Sequence, residues 1–396
     1  MRTAVVLFTR DLRVHDNPAL TAAVQAAERV IPLFCLDGRL LAQSPNRSGF
    51  LLESLADLRR RIPLVVRRGD PAAEIGRLGA DAVFLSEDVS AYATAREERL
   101  GARAFPGITI VPPGDLKPYV VFTAYWNAWR RIPRRAVLPA VEVRPHGVEP
   151  GDLPAPPAGR SPEVPEGGET AGRARLAAWD ASGYGEGHDD LAGDRTSRLS
   201  PYLHLGCLSP LEAAERHPVE PFVRQLCWRD FFAQLLLHHP RTPSQDLRPR
   251  GGAWLGLPGA LEAWMEGRTG YPLVDAGMRQ LAREGWMPGR ARLVAGSFLT
   301  KRLGVDWREG AAHFSRLLVD GDLASNVGNW QWVAGTGANA RPNRVLNPIR
   351  QARRHDPNGD YVRRHVPELA HVEGPAVHEP WALAPEYPTP IDRREE

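Results

Sequence analysis

The chain has 396 residues, 43% of them hydrophobic, enough for two domains of ordinary size with real cores. No apolar run reaches the length of a membrane span, and three widely spaced cysteines (Cys35, Cys207, Cys227) offer neither a disulfide framework nor a metal-ligand pattern. A reducing cytoplasm is the expected compartment. The net charge of +3 is too small to argue by itself for nucleic acid.

Met1-Arg2-Thr3 leads straight into the apolar run Ala4–Phe8, and Arg10, Asp11 and Arg13 follow in place of a small-residue cleavage site. This predicts a first strand, not a signal peptide. Short β-rich runs at Val30–Leu36, Leu64–Val66, Ala82–Leu85 and Ile108–Val111 predict further strands. Between them, capped helices are predicted over Ala19–Ala27 after Asn17-Pro18, Phe50–Arg60 after Ser48, Ala72–Leu78 after Asp70-Pro71 and Ala91–Arg99 after Ser90. The alternation predicts an α/β domain over residues 1–130: a doubly wound parallel sheet with ligands at the carboxyl ends of its strands.

Nine prolines between Pro133 and Pro165, with Gly167 and Gly168, mark residues 131–168 as an interdomain linker and not as packed structure. From about Glu169 the apolar spacing is helical: Leu176–Trp179, Leu211–Arg216, Phe222–His238, Ala260–Glu266, Pro272–Arg283 and Ala291–Leu303. Residues 169–396 are therefore expected to form an all-α domain.

Seven arginines against two acids between Arg341 and Arg364 suit phosphate contacts, although the chain is arginine-rich throughout and a solvated loop would read the same. Ten of the eleven tryptophans lie at or beyond Trp129, several in polar company: Trp228-Arg229-Asp230, Asp306-Trp307-Arg308 and Asn329-Trp330-Gln331-Trp332. Indoles in such settings suggest stacking surfaces or redox relays, or simply core anchors. The run from Asp194 to Leu203 sets hydroxyls and backbone amides before a helix start, which is how a diphosphate is held and also how an ordinary helix is capped. Asp320 to Asn326 places carboxylates and an amide close together. No GxGxxG follows a strand, no P-loop exists, and neither run has metal-ligand spacing.

These runs resemble the photolyase–cryptochrome family, most of all its class I cyclobutane pyrimidine dimer photolyases of the deazaflavin-antenna type. Phe8-Thr9-Arg10-Asp11-Leu12-Arg13-Val14-His15-Asp16-Asn17 is similar to the family's opening, and Thr196-Ser197-Arg198-Leu199-Ser200-Pro201-Tyr202 to its FAD loop. Trp228-Arg229-Asp230-Phe231-Phe232, the run from Thr269 to Ala276, Asp306-Trp307-Arg308-Glu309-Gly310 and the run from Asp320 to Trp332 are similar to its later signatures. The resemblance covers roughly Ala4 to Trp381.

It implies an FAD bent into a U inside the helical domain. Tyr184, Thr196, Ser197, Arg198, Leu199 and Ser200 would hold the FAD phosphates. Arg292 and Asp320 match a salt bridge beside the flavin, Asp322 a further contact, and Asn326 the side chain facing flavin N5. Trp330, Trp307 and Trp254 match a tryptophan chain that carries an electron from the surface to the flavin. Trp228 and Trp332 match aromatics lining a dimer pocket, Gln225 stands where many relatives have Glu, and Arg290, Arg344 and Gln351 match positions facing the DNA strand. Photolyases are established examples of enzymes that take their target bases out of the stack. Arg10, Phe34 and Asp37 match contacts to a light-harvesting antenna; a deazaflavin is expected, with a folate or an empty remnant of the pocket as alternatives.

The implied activity is light-driven repair of cyclobutane dimers by electron transfer from excited reduced FAD, a carbon–carbon lyase reaction. Damaged DNA is the expected partner of a monomeric, non-membrane protein. A cryptochrome-like photoreceptor with weak or no repair is the alternative, and the short tail after Leu369 counts against it. A plain electron-transfer flavoprotein leaves Trp228, Trp332 and the arginine cluster unexplained. The departures from the family pattern are Gln225, Leu293 and above all Gly289, which removes an expected carboxamide and, with Leu293, the histidines that six-four repair requires.

Overall fold

A computed structural model describes residues 1–249, 251, 253–338 and 341–392. The first part alternates as expected: β1 (Thr3–Leu7), α1 (Pro18–Ala26), β2 (Arg29–Leu36), α2 (Gly38–Leu41), α3 (Pro45–Arg59), β3 (Val65–Arg68), α4 (Pro71–Leu78), β4 (Ala82–Ser86), α5 (Ala91–Leu100) and β5 (Arg103–Phe105). All four strand pairings are parallel, in the order β3-β2-β1-β4-β5. Side chains alternate across the sheet. Ala4, Val6 and Phe8 share one core with Leu20 and Ala23 of α1 and Phe50 and Leu55 of α3, whereas Val5 and Leu7 pack toward Ile75 of α4. Both faces are covered, so the sheet is doubly wound. Its direction reverses between β1 and β4, and the loops leaving those two strands flank the crevice where such sheets meet their ligands.

Ile108–Val111 is not a strand. Its backbone is taken by the helical part: Asp230 accepts from the Ile110 and Val111 amides (3.0 and 3.1 Å), and Arg229 donates to the Ile108 carbonyl. The fifth strand forms earlier, at Arg103–Phe105. Helix α3 also starts before Ser48, because Ser44 caps it by accepting from the Arg47 amide (3.3 Å) and Pro45 fits the first turn.

A short helix, α6 (Phe122–Trp129), leads into residues 131–168, which hold no helix or strand but are tied down. The Pro150 carbonyl accepts from the Val66 amide (2.7 Å), Leu138 and Asp16 exchange bonds, and Ser161 donates to Asn46. The prolines remove donors without freeing the chain. Pro150 and Gly151 lie along edge strand β3; a Cβ on Gly151 (φ 70°) would come within 2.2 Å of the Val66 carbonyl oxygen.

The remainder is helical: α7 (Glu169–Ala178), α8 (Tyr184–Gly187), α9 (Ser200–His204), α10 (Pro210–Arg216), α11 (Glu220–His238), α12 (Ala260–Met265), α13 (Pro272–Glu284), α14 (Gly289–Ser297), α15 (Trp307–Leu317), α16 (Leu323–Ala334), α17 (Pro348–His355) and α18 (Asp360–His365). The run beyond Ser297 continues as a π-helical turn over Phe298–Arg302. Helices α11 and α16 cross closely because Gly328 lies under the Phe232 ring. Among the described residues no helix is long and apolar enough to cross a membrane.

Two buried histidines make this core sensitive to acid. Arg316 donates to His313 Nδ1 (3.2 Å) and Arg283 to His365 Nδ1 (3.3 Å), so both rings must be neutral to accept. Burial, reinforced by Arg316, lowers His313 to about 4; burial with Arg283 lowers His365 to about 3. The unfolded chain binds these protons near pH 6.5 and the folded chain does not, so stability is full above that pH and falls below it. His313→Gln is expected to flatten this loss by on the order of 2 kcal/mol between pH 6.5 and 4, measured as a smaller fall in Tm than the native protein shows.

Candidate functional site

A cavity of about 490 Å³ opens into the helical part, walled by α8, residues 196–200, α9, α11, α14 and α16. One wall carries an ion pair: Arg292 Nη2 lies 2.8 Å from Asp320 Oδ2, and Arg292 Nε donates to the Met287 carbonyl (2.9 Å). Asp322 caps α16 by accepting from the Ser325 amide (2.7 Å). That cap fixes the first turn of the helix bearing Asn326, Trp330 and Trp332. Asn326 donates one amide hydrogen to the Ala311 carbonyl (3.0 Å) and lines the cavity, where its carbonyl oxygen can accept a hydrogen bond. Burial alone would raise the Asp322 carboxyl, but the Arg10 and Arg229 guanidiniums outweigh it and hold the group well below the usual carboxylate range. Burial and Arg10 keep His204 neutral.

On the opposite side, residues 196–200 turn sharply, with Arg198 at φ 51°. The guanidinium of Arg198 is committed to the turn itself: it pairs with Asp194 (2.7 Å) and Glu284 (2.9 Å) and lies 4.3 Å from the Trp286 ring centroid. Trp286 in turn donates to Ser200 Oγ (3.2 Å). Helix α9 is only five residues long, so hydroxyls and single amides, more than a helix dipole, face the cavity here.

Three cavity-lining polar atoms are buried with no hydrogen-bond partner: Thr196 Oγ1, His204 Nδ1 and Asp320 Oδ1. Buried polar atoms are rarely left so in a finished site, and together they call for a polar ligand. Carboxylate, hydroxyl, imidazole and carboxamide groups beside aromatic walls fit a large ring system with a polar edge and a phosphate-bearing tail. FAD is such a molecule.

The mouth is aromatic. Trp228 lies half-buried, its ring 3.6 Å and 3° from that of Phe122 on α6. Trp332 and the exposed Gln225 line the same cavity. Arg290 also lines it but is held by Asp189 and by Gln351 (3.4 Å). Arg344 is exposed, and neither it nor Gln351 lines the cavity. Of the tryptophan chain, Trp330 lines the cavity; Trp307 is fully buried with Nε1 donating to Asp246 (2.9 Å), and Trp254 is half-buried.

The three antenna residues are not together. Asp37 lines a second cavity of about 670 Å³ at the ends of β2 and β3, with Arg39, Arg68, Tyr92, Arg96 and Arg99. Phe34 is buried in the core, 8% exposed. Arg10 points away to Asp88 and Asp322, because the helical part docks over the crevice between β1 and β4. Asp189, Trp286, His204 and Phe122 were not visible from sequence; each matters through a neighbour distant in the chain.

A parallel α/β unit joined to a helical bundle, with a cavity whose apolar walls carry a few convergent polar groups and whose mouth is aromatic, defines a two-domain protein built to hold a large cofactor. The chain belongs to the photolyase–cryptochrome family. The profile described as DNA photolyase matches residues 4–145, and that described as the FAD binding domain of DNA photolyase matches residues 222–394. A deoxyribodipyrimidine photo-lyase of Streptomyces griseus is 48% identical, over 99% of this chain and 96% of that one. A cryptochrome DASH of Gloeobacter violaceus is 35% identical, over 98% and 93%. The crystal structure of a class III photolyase from Agrobacterium tumefaciens superposes with a TM-score of 0.90 at 32% identity, covering 100% of this chain and 95% of that one.

Proposed function

We propose that this protein is a light-driven repair enzyme for cyclobutane pyrimidine dimers in DNA. The observation that carries the reading is a cavity that joins a flavin-compatible interior, apolar with a few convergent polar groups, to an aromatic mouth. Bound reduced FAD supplies the excited electron that opens the cyclobutane ring.

The chain's own groups do the rest. Thr196, Ser197 and Ser200 with the amides of residues 196–200 bind the cofactor's phosphates, and Tyr184 closes that side. Asp320, fixed by Arg292, and Asn326 bind the flavin's polar edge. Trp228 and Trp332 receive the flipped bases and exclude water from the bond to be broken. Gln225 and Arg290 sit at the rim to orient the strand, with Arg344 and Gln351 further out on the DNA side. The arginines from Arg341 to Arg364 hold phosphates, so affinity falls with salt. The cavity lined by Asp37 is a candidate place for an antenna, and its arginines suit an anionic chromophore, a charge that both a deazaflavin and a folate can carry.

The test is dimer loss from a defined thymine-dimer oligonucleotide under blue light with the flavin fully reduced. Gly289 sharpens it. The residue is exposed at the cavity rim, and a Cβ built there meets nothing within 4 Å, so a carboxamide fits. Gly289→Asn is expected to raise repair per photon by about 2- to 10-fold, the value of one hydrogen bond to the dimer, with a smaller change in dimer affinity. A native protein that repairs nothing, and a Gly289→Asn variant that restores nothing, would leave the photoreceptor reading.

A further inference from the structure

In open α/β sheets the crevice where strand order reverses receives the ligand. Here that crevice, between β1 and β4, receives the helical part of the same chain. Arg10, in the turn after β1, fills it. Arg10 Nη1 pairs with Asp88 after β4 (3.3 Å), Nε donates to the His204 carbonyl (3.1 Å), and Nη2 binds Asp322. Asp322 therefore has two duties: one oxygen caps α16 and the other is gripped by a residue more than three hundred positions earlier.

The grip is built into the backbone on both sides. Leu12 donates to the Leu205 carbonyl (3.2 Å), and the fully buried Arg13 donates to the carbonyls of Gly206 (2.9 Å) and Gly107 (2.8 Å). Gly206 sits at φ 66°, and a Cβ there would lie 1.9 Å from the Arg10 carbonyl oxygen. Charge is balanced inside the junction: Arg10 and Arg229 face Asp88 and Asp322, with His204 neutral. Without Arg10, Asp322 is a buried carboxylate short of its partner, and such a group protonates or turns away. Either change weakens the cap of the helix that presents Asn326 and Trp330.

We propose that Arg10 is a positioning residue for the flavin site, clamping Asp322 across the junction so that the turn after β1 sets how tightly the helical part holds FAD. This rests on the FAD reading above.

The test is FAD titration of the apoprotein, followed by flavin fluorescence, for native protein, Arg10→Met, Arg10→Lys, Asp322→Asn and the double variant Arg10→Met with Asp322→Asn. Arg10→Met is expected to weaken FAD binding at least about 10-fold, the scale of one buried charge-assisted bond. Arg10→Lys, which keeps charge but loses the fork, should recover part of it. The loss from Arg10→Met should be clearly smaller in the Asp322→Asn background than in the native one, because the contact between the two carries most of the effect while Arg10 keeps its bonds to Asp88 and the His204 carbonyl. Thermal melting of each apoprotein separates a lost clamp from a lost fold. If Arg10→Met does not fold, the same coupling is read with Arg10→Lys, whose smaller loss should shrink likewise in the Asp322→Asn background. Additive losses, or native affinity in the Arg10 variants, overturn the clamp. Native protein that takes up no FAD overturns the FAD reading instead.

Discussion

Trp330→Phe is expected to remove nearly all light-driven reduction of the bound flavin while FAD stays in place. Trp330 is the one member of the tryptophan series that lines the cavity, and it is 3% exposed. Its ring packs against Phe314 (5.0 Å) and Trp264 (5.9 Å), and glycines make room for it: a Cβ on Gly310 would fall 2.2 Å from the indole. Phenylalanine fills most of that slot, so the stability loss should stay on the order of 1–2 kcal/mol. A benzene ring is far harder to oxidise than an indole, so the fold survives and the hop does not.

The proposed path continues to Trp307, whose surroundings favour positive charge. Trp307 Nε1 donates to Asp246, and Arg308, 4.7 Å over the same ring, is neutralised by Asp246 (2.8 Å) and Asp306 (3.0 Å). Two carboxylates against one guanidinium leave the surroundings net negative, which favours a transient hole on the indole. The measurement is the bleaching of the oxidised flavin band under blue light with an external thiol. An unchanged rate in Trp330→Phe would remove Trp330 from the path.

Much of this was legible in the sequence, and what was not has a common cause. β1, β2 and β4 were readable because short β-rich apolar runs between turn residues, alternating with capped helices, suit the buried strands of a parallel sheet. Ile108–Val111 has the same composition and is no strand, since its amides belong to Asp230, about 120 positions on. Arg10 was readable as part of a motif, but the direction of its side chain is decided by how two halves of the chain dock. The same holds for Arg198, whose charge looks made for phosphate and is instead absorbed by Asp194 and Glu284. The proline-rich stretch reads as a linker and not as packed structure; it holds no helix or strand, yet it is packed, with Val143 only 8% exposed, because packing is a separate property from secondary structure. Gly289 was visible as a departure; only the empty space around its Cα shows that a side chain would fit.

Trp228→Ala should cost the protein its discrimination between dimer-containing and intact DNA, with a smaller loss of total affinity. Non-specific affinity comes from arginines on phosphates, which this change leaves alone. Discrimination comes from the face an indole offers an extruded base, about 1–3 kcal/mol per stacked base, or roughly 5- to 150-fold. The structure adds what holds that face in place. Phe122 lies flat against one side of Trp228 at 3.6 Å, and Arg224 sits 5.2 Å from the Phe122 ring centroid. The two rings form a stack with one end on the core and the other at the cavity mouth, so a flipped base extends an existing pile instead of ordering a loose side chain. Phe122→Leu keeps the bulk and loses the flat face, and should recover only part of the native discrimination; Phe122→Tyr should recover most of it. Competition binding with matched damaged and intact oligonucleotides reads all three variants on one scale. Equal losses on both substrates for Trp228→Ala would make Trp228 a core residue and take the dimer away from this cavity.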